Sequence, residues 1–375
     1  MGEQNPVSRR SVLQKTGIAT GVGITTGLSG CTTIIGGDDE QLQLDEEELD
    51  ELPEVEATWA HNGPPDASLR SHRIAITVKN YMETMTDGQF TVNIAPGGEV
   101  GNTRETIEQV QNNTIQAAQL TGAHLAPFFP DFNVYTSPFL FEDVDLALAV
   151  MDGPFGDTLK EAFLDDTGMR IIGSIDVGGF QTISSNTGPL DNLEVLEGQS
   201  IRTMSMDSHL EFYSQLGMNP EPMDIGELYQ ALDTGVMDAQ ANPIETMLLF
   251  SLHEVQDYKL LNGPVMALLW LPCNNGWFED LPATYQNLWL NAGREASIAG
   301  RRMTRYYREN GQDYINSIGI DTYDPDEAFI NEVREQTKEP VDNLIRDVMD
   351  RPELFDELED TVEETKEELG YGSLG

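Results

Sequence analysis

Apolar residues recur along the chain at two different spacings, and the switch between them marks its elements. Phe90, Val92 and Ile94 alternate with polar neighbours and predict a strand over 89–94 behind an Asp87-Gly88 turn. Ala57-Thr58-Trp59-Ala60 reads as the short strand that opens the folded part. Leu69, Ile74, Ile76, Val78 and Met82 then supply one apolar side of a helix over about 67–84. Asn102 and Thr103 stand where a helix cap belongs, and that helix runs through Ile107 and Val110 to Asn112. Residues 115–120 read as a buried strand. Helices follow over 143–151 and 154–165, strands over 170–174, 181–184 and 198–203, and helices over 208–216, 226–233 and 243–250, with Met237-Asp238-Ala239-Gln240 as a separator. Paired strands are predicted over 258–261 and 265–271. A helical stretch free of proline runs from 283 to 310, with Leu288, Leu290, Ala292 and Ala296 near one face. This alternation predicts an α/β fold with largely parallel sheets, and no internal repeat is visible.

The first thirty residues do not fit that pattern. Ser8-Arg9-Arg10-Ser11 ahead of a weakly apolar, uncharged Gly17 to Leu28 has the form of a twin-arginine export signal, and Leu28-Ser29-Gly30-Cys31 resembles a lipobox. The stretch is well short of the ~20 apolar residues that cross a bilayer. The expectation is cleavage before Cys31 and a lipid on its thiol, holding the mature protein to the outer face of the membrane. Residues 31–56 are acidic and free of aromatics, and read as a disordered tether.

Charge sharpens the picture. The 375 residues carry 65 acidic and 21 basic side chains, a net charge of −44; removing residues 1–30 takes away Glu3, Arg9, Arg10 and Lys15 and leaves 64 acidic and 18 basic ones. Such charge pushes a compact state apart in dilute buffer. At molar salt the Debye length is ~3 Å and only near neighbours repel, so the composition predicts a hypersaline habitat, as of a halophilic archaeon, and no nucleic-acid partner. Cys31 and Cys273 are the only cysteines; with Cys31 lipidated no intramolecular disulfide forms, and Cys273 is expected to be buried. Asn112-Asn113-Thr114 is a weak glycosylation motif.

Candidate chemistry is sparse. The sequence holds no P-loop, HExxH, GxSxG or paired-cysteine motif, and no dinucleotide fingerprint follows a strand. Five single histidines lack the spacing of metal ligands, and no cofactor or metal is expected. Scarcity makes Arg202 conspicuous: Gly198-Gln199-Ser200-Ile201-Arg202-Thr203 puts an arginine at a strand end, where α/β sheets bind ligands. A guanidinium offers two parallel donors to a carboxylate. The bland reading of the same residue is a surface ion pair.

Met223-Asp224-Ile225-Gly226-Glu227-Leu228-Tyr229-Gln230-Ala231-Leu232 and its continuation Asp233-Thr234-Gly235-Val236-Met237-Asp238-Ala239-Gln240-Ala241-Asn242-Pro243 resemble the signature stretch of the solute receptors of tripartite ATP-independent periplasmic (TRAP) transporters, of the dicarboxylate-receptor (DctP) type. Pro96-Gly97-Gly98-Glu99-Val100-Gly101-Asn102, Glu254-Val255-Gln256-Asp257-Tyr258 and Trp277-Phe278-Glu279-Asp280-Leu281-Pro282 support the likeness, which covers about 57–350. The resemblance implies a two-lobed periplasmic-binding-protein fold with a ligand cleft and a long helix spanning both lobes. Lobe I is placed at 57–179 and 268–307, lobe II at 180–267 and 308–361, and a C-terminal tail at 362–375. It also implies an organic-anion ligand, no catalysis, and delivery to the membrane permease subunits of a TRAP transporter. Arg202 matches the arginine that grips the carboxylate and Asn242 the amide beside it; Asn242-Pro243 is also a good helix start. Many relatives carry a second basic residue on the preceding strand, but Gly178-Gly179-Phe180-Gln181-Thr182 has none. Where sialic-acid receptors carry Glu and Arg, this chain has Thr121, Gly122, Ala123 and His124, so sialate is not expected. Asn62, Thr121, His124, Gln181 and Thr182 are second-rank polar candidates and Phe180 or Trp270 an aromatic wall. The alternative function is an exported, lipid-anchored hydrolase using an acid pair.

Overall fold

The computed structural model describes residue 44 and residues 49–261 and 263–371. The export signal, Cys31 and most of the tether lie outside the described residues. In chain order the strands are β1 (Val55–Ala60), β2 (Phe90–Ala95), β3 (Ala117–Ala118), β4 (Leu120–Thr121), β5 (Met169–Phe180), β6 (Thr182–Ser185), β7 (Ser200–Thr203), β8 (Asn219–Pro222), β9 (Ala239–Asn242), β10 (Tyr258–Leu260), β11 (Met266–Asn274) and β12 (Asp321–Tyr323). The helices are α1 (Arg70–Met85), α2 (Thr103–Gln111), α3 (Gly122–Leu125), α4 (Val144–Asp152), α5 (Pro154–Thr167), α6 (Asp207–Gln215), α7 (Ile225–Asp233), α8 (Ile244–Leu249), α9 (Asn275–Asp280), α10 (Ala283–Ser317), α11 (Glu327–Val348) and α12 (Glu353–Leu369).

Among the described residues the strands form two six-stranded sheets. One runs β2-β1-β3-β11-β4 with β5 beside β11; the other runs β12-β10-β6-β9-β7-β8. Only Gln181 separates β5 from β6, so the chain steps there from the first sheet to the second, and it returns between β10 and β11. The expectation of largely parallel sheets is corrected: β11 runs antiparallel to β3, β4 and β5, and β6 antiparallel to β9 and β10. The strands that carry the chain between sheets run against their βα-built neighbours. For the same reason the predicted pair 258–261 and 265–271 is not a pair. β10 and β11 belong to different sheets, with Gly263 at positive φ in the turn between them.

Local chemistry explains the elements. Asn102 and Glu105 form a reciprocal capping box on α2, and the Asp224 side chain accepts from the Gly226 N–H to start α7. α5 stops at Gly168, whose φ of +68 suits glycine. The first sheet packs its apolar face on α1 and α10 around Trp59, Phe90, Tyr285 and Trp289. α10 lies close on β5 because Gly173 and Gly293 have no side chains: a Cβ on Gly293 would sit 2.3 Å from the Ile172 carbonyl oxygen.

Three other expectations shift. β5 extends to Phe180, past the predicted end at 174, because Asp176, which breaks the apolar pattern, is satisfied inside the fold by Arg308 Nη1 at 2.5 Å and Thr304 Oγ1 at 2.8 Å. The acidic segment is ordered before 57: Leu49 is buried and β1 begins at Val55, in register with Phe90. Residues 362–371 are mostly helix, not tail. α12 buries Leu354, Phe355, Leu358 and Val362 and packs on α4 and α5, on the first sheet's side, where the Tyr371 hydroxyl donates to Asp143. Among the described residues no helix is long and apolar enough to cross a membrane.

Candidate ligand-binding site

β7 lies between β8 and β9, with Arg202 in register with Glu221 on one side and Gln240 on the other. That central position buries the whole side chain, which is 1% exposed. The surface ion pair is therefore ruled out. Its Nε donates to the Met223 carbonyl at 2.8 Å, while Nη1 is buried with no hydrogen-bond partner. Burial draws the guanidinium down to about 10, opposed by Asp224 and Tyr213. It remains charged at neutral pH.

Arg202 faces a cavity of about 80 Å³, room for several water-sized groups. Residues after β1 supply His61 and Asn62; the β3–α3 region supplies Gln119, Thr121 and His124; the crossing segment supplies Gln181; and β9 ends on Asn242. Six predicted site residues thus come together: Asn62, Thr121, His124, Gln181, Arg202 and Asn242. Phe180 and Thr182 do not line the cavity, a correction that follows from strand geometry, since neighbours of an inward Gln181 turn away. Phe180 lies against Gly263. The Thr182 hydroxyl donates to the Asn242 carbonyl at 3.0 Å and accepts from the buried Lys259 Nζ, so it steadies the strand under the site. Trp270 is core, stacked on Phe132. Asn242 does not cap α8: its amide donates to Gln240 Oε1 at 2.5 Å, and the helix starts with no side-chain cap.

Buried polar groups normally find partners. Among the described residues four that do not, His61 Nδ1, Gln119 Oε1, Gln181 Nε2 and Arg202 Nη1, belong to residues lining this one cavity. Each unsatisfied group costs about 1–3 kcal/mol, so their convergence marks a place where a polar molecule completes the structure. Arg70, Ser71 and Thr246 add polar groups, and much of the remaining lining is apolar, including Val177, Ile225, Leu249, Phe250 and Leu269.

Sequence reasoning missed Arg70, Gln119 and His61. Arg70 is as scarce a residue type as Arg202, but it opens a helix outside any motif. Its guanidinium is held by Glu245, Nε to Oε1 at 3.1 Å and to Oε2 at 3.0 Å.

Histidines around Arg202 are kept neutral. Burial, then the Arg202 charge, lowers His124 to about 4 and His209 to about 3. Unfolded histidine titrates near 6.5, so as pH falls below that value the unfolded state takes up protons the folded state refuses, and stability drops. In molar salt, lowering pH from 7.5 to 5 is expected to remove about 2 kcal/mol for each of these two histidines. His209→Phe should flatten the slope of melting temperature against pH over that window; an unchanged slope contradicts the assignment.

Two sheets joined by crossing strands around a polar cavity define the class: a two-lobed solute-binding protein. The model of the family described as DctP, bacterial extracellular solute-binding protein, family 7, matches residues 67–347, and the chain belongs to that family. The 2,3-diketo-L-gulonate-binding periplasmic protein YiaO of Escherichia coli (strain K12) is 26% identical over 289 residues, covering 76% of this chain and 86% of its own. The fold matches the sugar acid binding protein DctPAm of Advenella mimigardefordensis strain DPN7T in complex with galactonate, with a TM-score of 0.79 at 21% identity over 84% of this chain and 100% of that one. It also matches a TRAP periplasmic solute binding protein from Desulfovibrio salexigens with bound orotic acid, with a TM-score of 0.77 at 24% identity over 83% and 99%.

Proposed function

We propose that the chain is the extracytoplasmic receptor of a TRAP-type transporter, capturing a small organic carboxylate on Arg202 and delivering it to the membrane permease. The observation that carries this reading is the buried guanidinium with a free Nη1 at the wall of the cavity. Asn242, Gln181, Asn62, Thr121 and His124 stand around it as further contacts to the ligand. The named relatives support the ligand class, since diketogulonate, galactonate and orotate are all organic acids.

The energetics ask for enclosure. Micromolar binding needs about 8 kcal/mol, of which a hydrogen bond to a charged group supplies about 1.5–3. Closure of the two lobes supplies the remainder by excluding water and completing the other contacts. A chain of hydrogen bonds already links the lobes at the mouth: Asn62 Nδ2 donates to Thr103 Oγ1 at 3.1 Å, and that hydroxyl donates to Asp224 Oδ2 at 2.9 Å. Export by the twin-arginine signal and a lipid on Cys31 would tether the receptor beside its permease, with the acidic segment as spacer.

Mass spectrometry of small molecules released from receptor purified in molar salt is expected to find a small organic acid at near-stoichiometric amount. Absence of any such acid, together with no change in melting temperature on adding carboxylates at millimolar concentration, would sink the reading.

A further inference from the structure

The charges around the cavity restrict its ligand more tightly than family membership does. Among the described residues, Arg70 and Arg202 are the two side chains in the lining that carry full charge, and no acidic residue lines the cavity. They are not equivalent. Arg70 is gripped by Glu245 through Nε to both carboxylate oxygens and through Nη2 to Oε2 at 2.9 Å, with the pair almost wholly buried. Burial alone would push the Glu245 carboxyl towards its neutral form, and the Arg70 guanidinium opposes this. The other charges beside that pair, Asp176 and Arg308, are bonded to each other. Near Arg202, the Asp224 carboxylate lines the outer cleft, not the cavity, and is engaged by the Gly226 N–H at 3.0 Å and by Thr103. Among the described residues of the lining, Arg202 is therefore the cation left to meet a ligand. A second carboxylate on the same ligand would face neutral polar groups and hydrocarbon, and an unpaired buried charge is costly.

Building on the carboxylate-receptor reading, we propose that the cavity selects monocarboxylates whose remaining groups are uncharged, and that Glu245 sets this selectivity by neutralising Arg70. Hydroxyl or keto groups of such a ligand would meet Gln119 Oε1 and Gln181 Nε2, two of the other unpaired atoms of the lining. Its hydrocarbon part would lie against Leu249, Phe250 and Leu269. Glu245 acts through Arg70 and touches no ligand, so it is a positioning residue. A site that leaves a polar group of the wrong ligand unpaired discriminates strongly.

The test is calorimetry in molar potassium chloride with the full-length protein, comparing galactonate, orotate, pantoate and ketoisocaproate with succinate, malate and oxoglutarate. A monocarboxylate is expected to bind tightest, at least ten-fold tighter than every dicarboxylate. Glu245→Gln frees Arg70 and should raise dicarboxylate affinity relative to monocarboxylate affinity at least ten-fold. The neutral double exchange Arg70→Gln with Glu245→Gln should return the ratio to that of the wild type. A dicarboxylate binding tightest to the wild type, or a ratio unmoved in folded Glu245→Gln, overturns the selectivity while leaving Arg202 as carboxylate receptor. Should Glu245→Gln not fold, a double variant that favours dicarboxylates overturns it equally. Failure of every acid to bind at millimolar concentration overturns the receptor reading as well.

Discussion

Arg202→Ala is expected to weaken carboxylate binding at least about 100-fold while the protein stays folded. Truncating one partner of a buried, hydrogen-bonded charge pair costs about 2–5 kcal/mol, and each 1.4 kcal/mol is ten-fold in affinity. The fold survives because the empty receptor gains little from this side chain. Nε makes one bond to the Met223 carbonyl, and Nη1 makes none. Removing a buried, incompletely paired cation offsets much of the packing lost, so Arg202→Met, which keeps more volume, should melt at or above the wild-type temperature. Calorimetry with the acid released from the wild type, combined with thermal melts, reads both effects. Retained affinity would place the carboxylate elsewhere.

The second large effect is that of salt. Moving from dilute buffer to molar potassium chloride is expected to raise the melting temperature by about 10 °C or more, a shift that corresponds to several kcal/mol in a protein of this size. The reason is visible on α12, where Glu353 and Glu357, Asp356 and Asp360, Glu359 and Glu363, and Glu364 and Glu368 stand one turn apart as like charges. Basic partners, such as Lys366 of the same helix with Glu142 at 3.1 Å, are far too sparse to offset the acidic excess behind a net −44. At ~3 Å Debye length this repulsion is reduced to near neighbours. Ligand capture should improve in parallel, because an anion then approaches Arg202 without the field of the whole body. An uncharged osmolyte at equal osmolality should not reproduce the gain. Equal stability in both buffers would contradict the account of the composition.

The same physics decides what was legible in the sequence. Elements with a clean period, such as β2 with Phe90 and Val92 or the apolar side of α1, declare themselves because one face meets the core and the other meets water. β9 does not: Ala239-Gln240-Ala241-Asn242 is buried on both faces with polar residues that bond to one another and to Ser184, so it read as a separator. β8 contains Pro220 and Pro222, which an edge strand tolerates and a pattern search rejects. In the site, Arg202 and Asn242 stood out through the motif around them, and Gln181 through its neighbours. Arg70 and Glu245 lie 175 positions apart in the chain, and only the fold, which brings the start of α1 to the start of α8, makes them a pair. Phe180 and Thr182 flank Gln181 in the chain, and the alternation of side chains along an extended segment turns them outward from the cavity.

The most direct measurement is a crystal structure of the receptor grown in molar salt with its co-purified acid. Carboxylate density within about 3 Å of Arg202 Nη1, inside the cavity shared with Asn242 and Gln181, is the predicted result. An acid bound with its carboxylate on other residues, leaving that nitrogen without a partner, would contradict it.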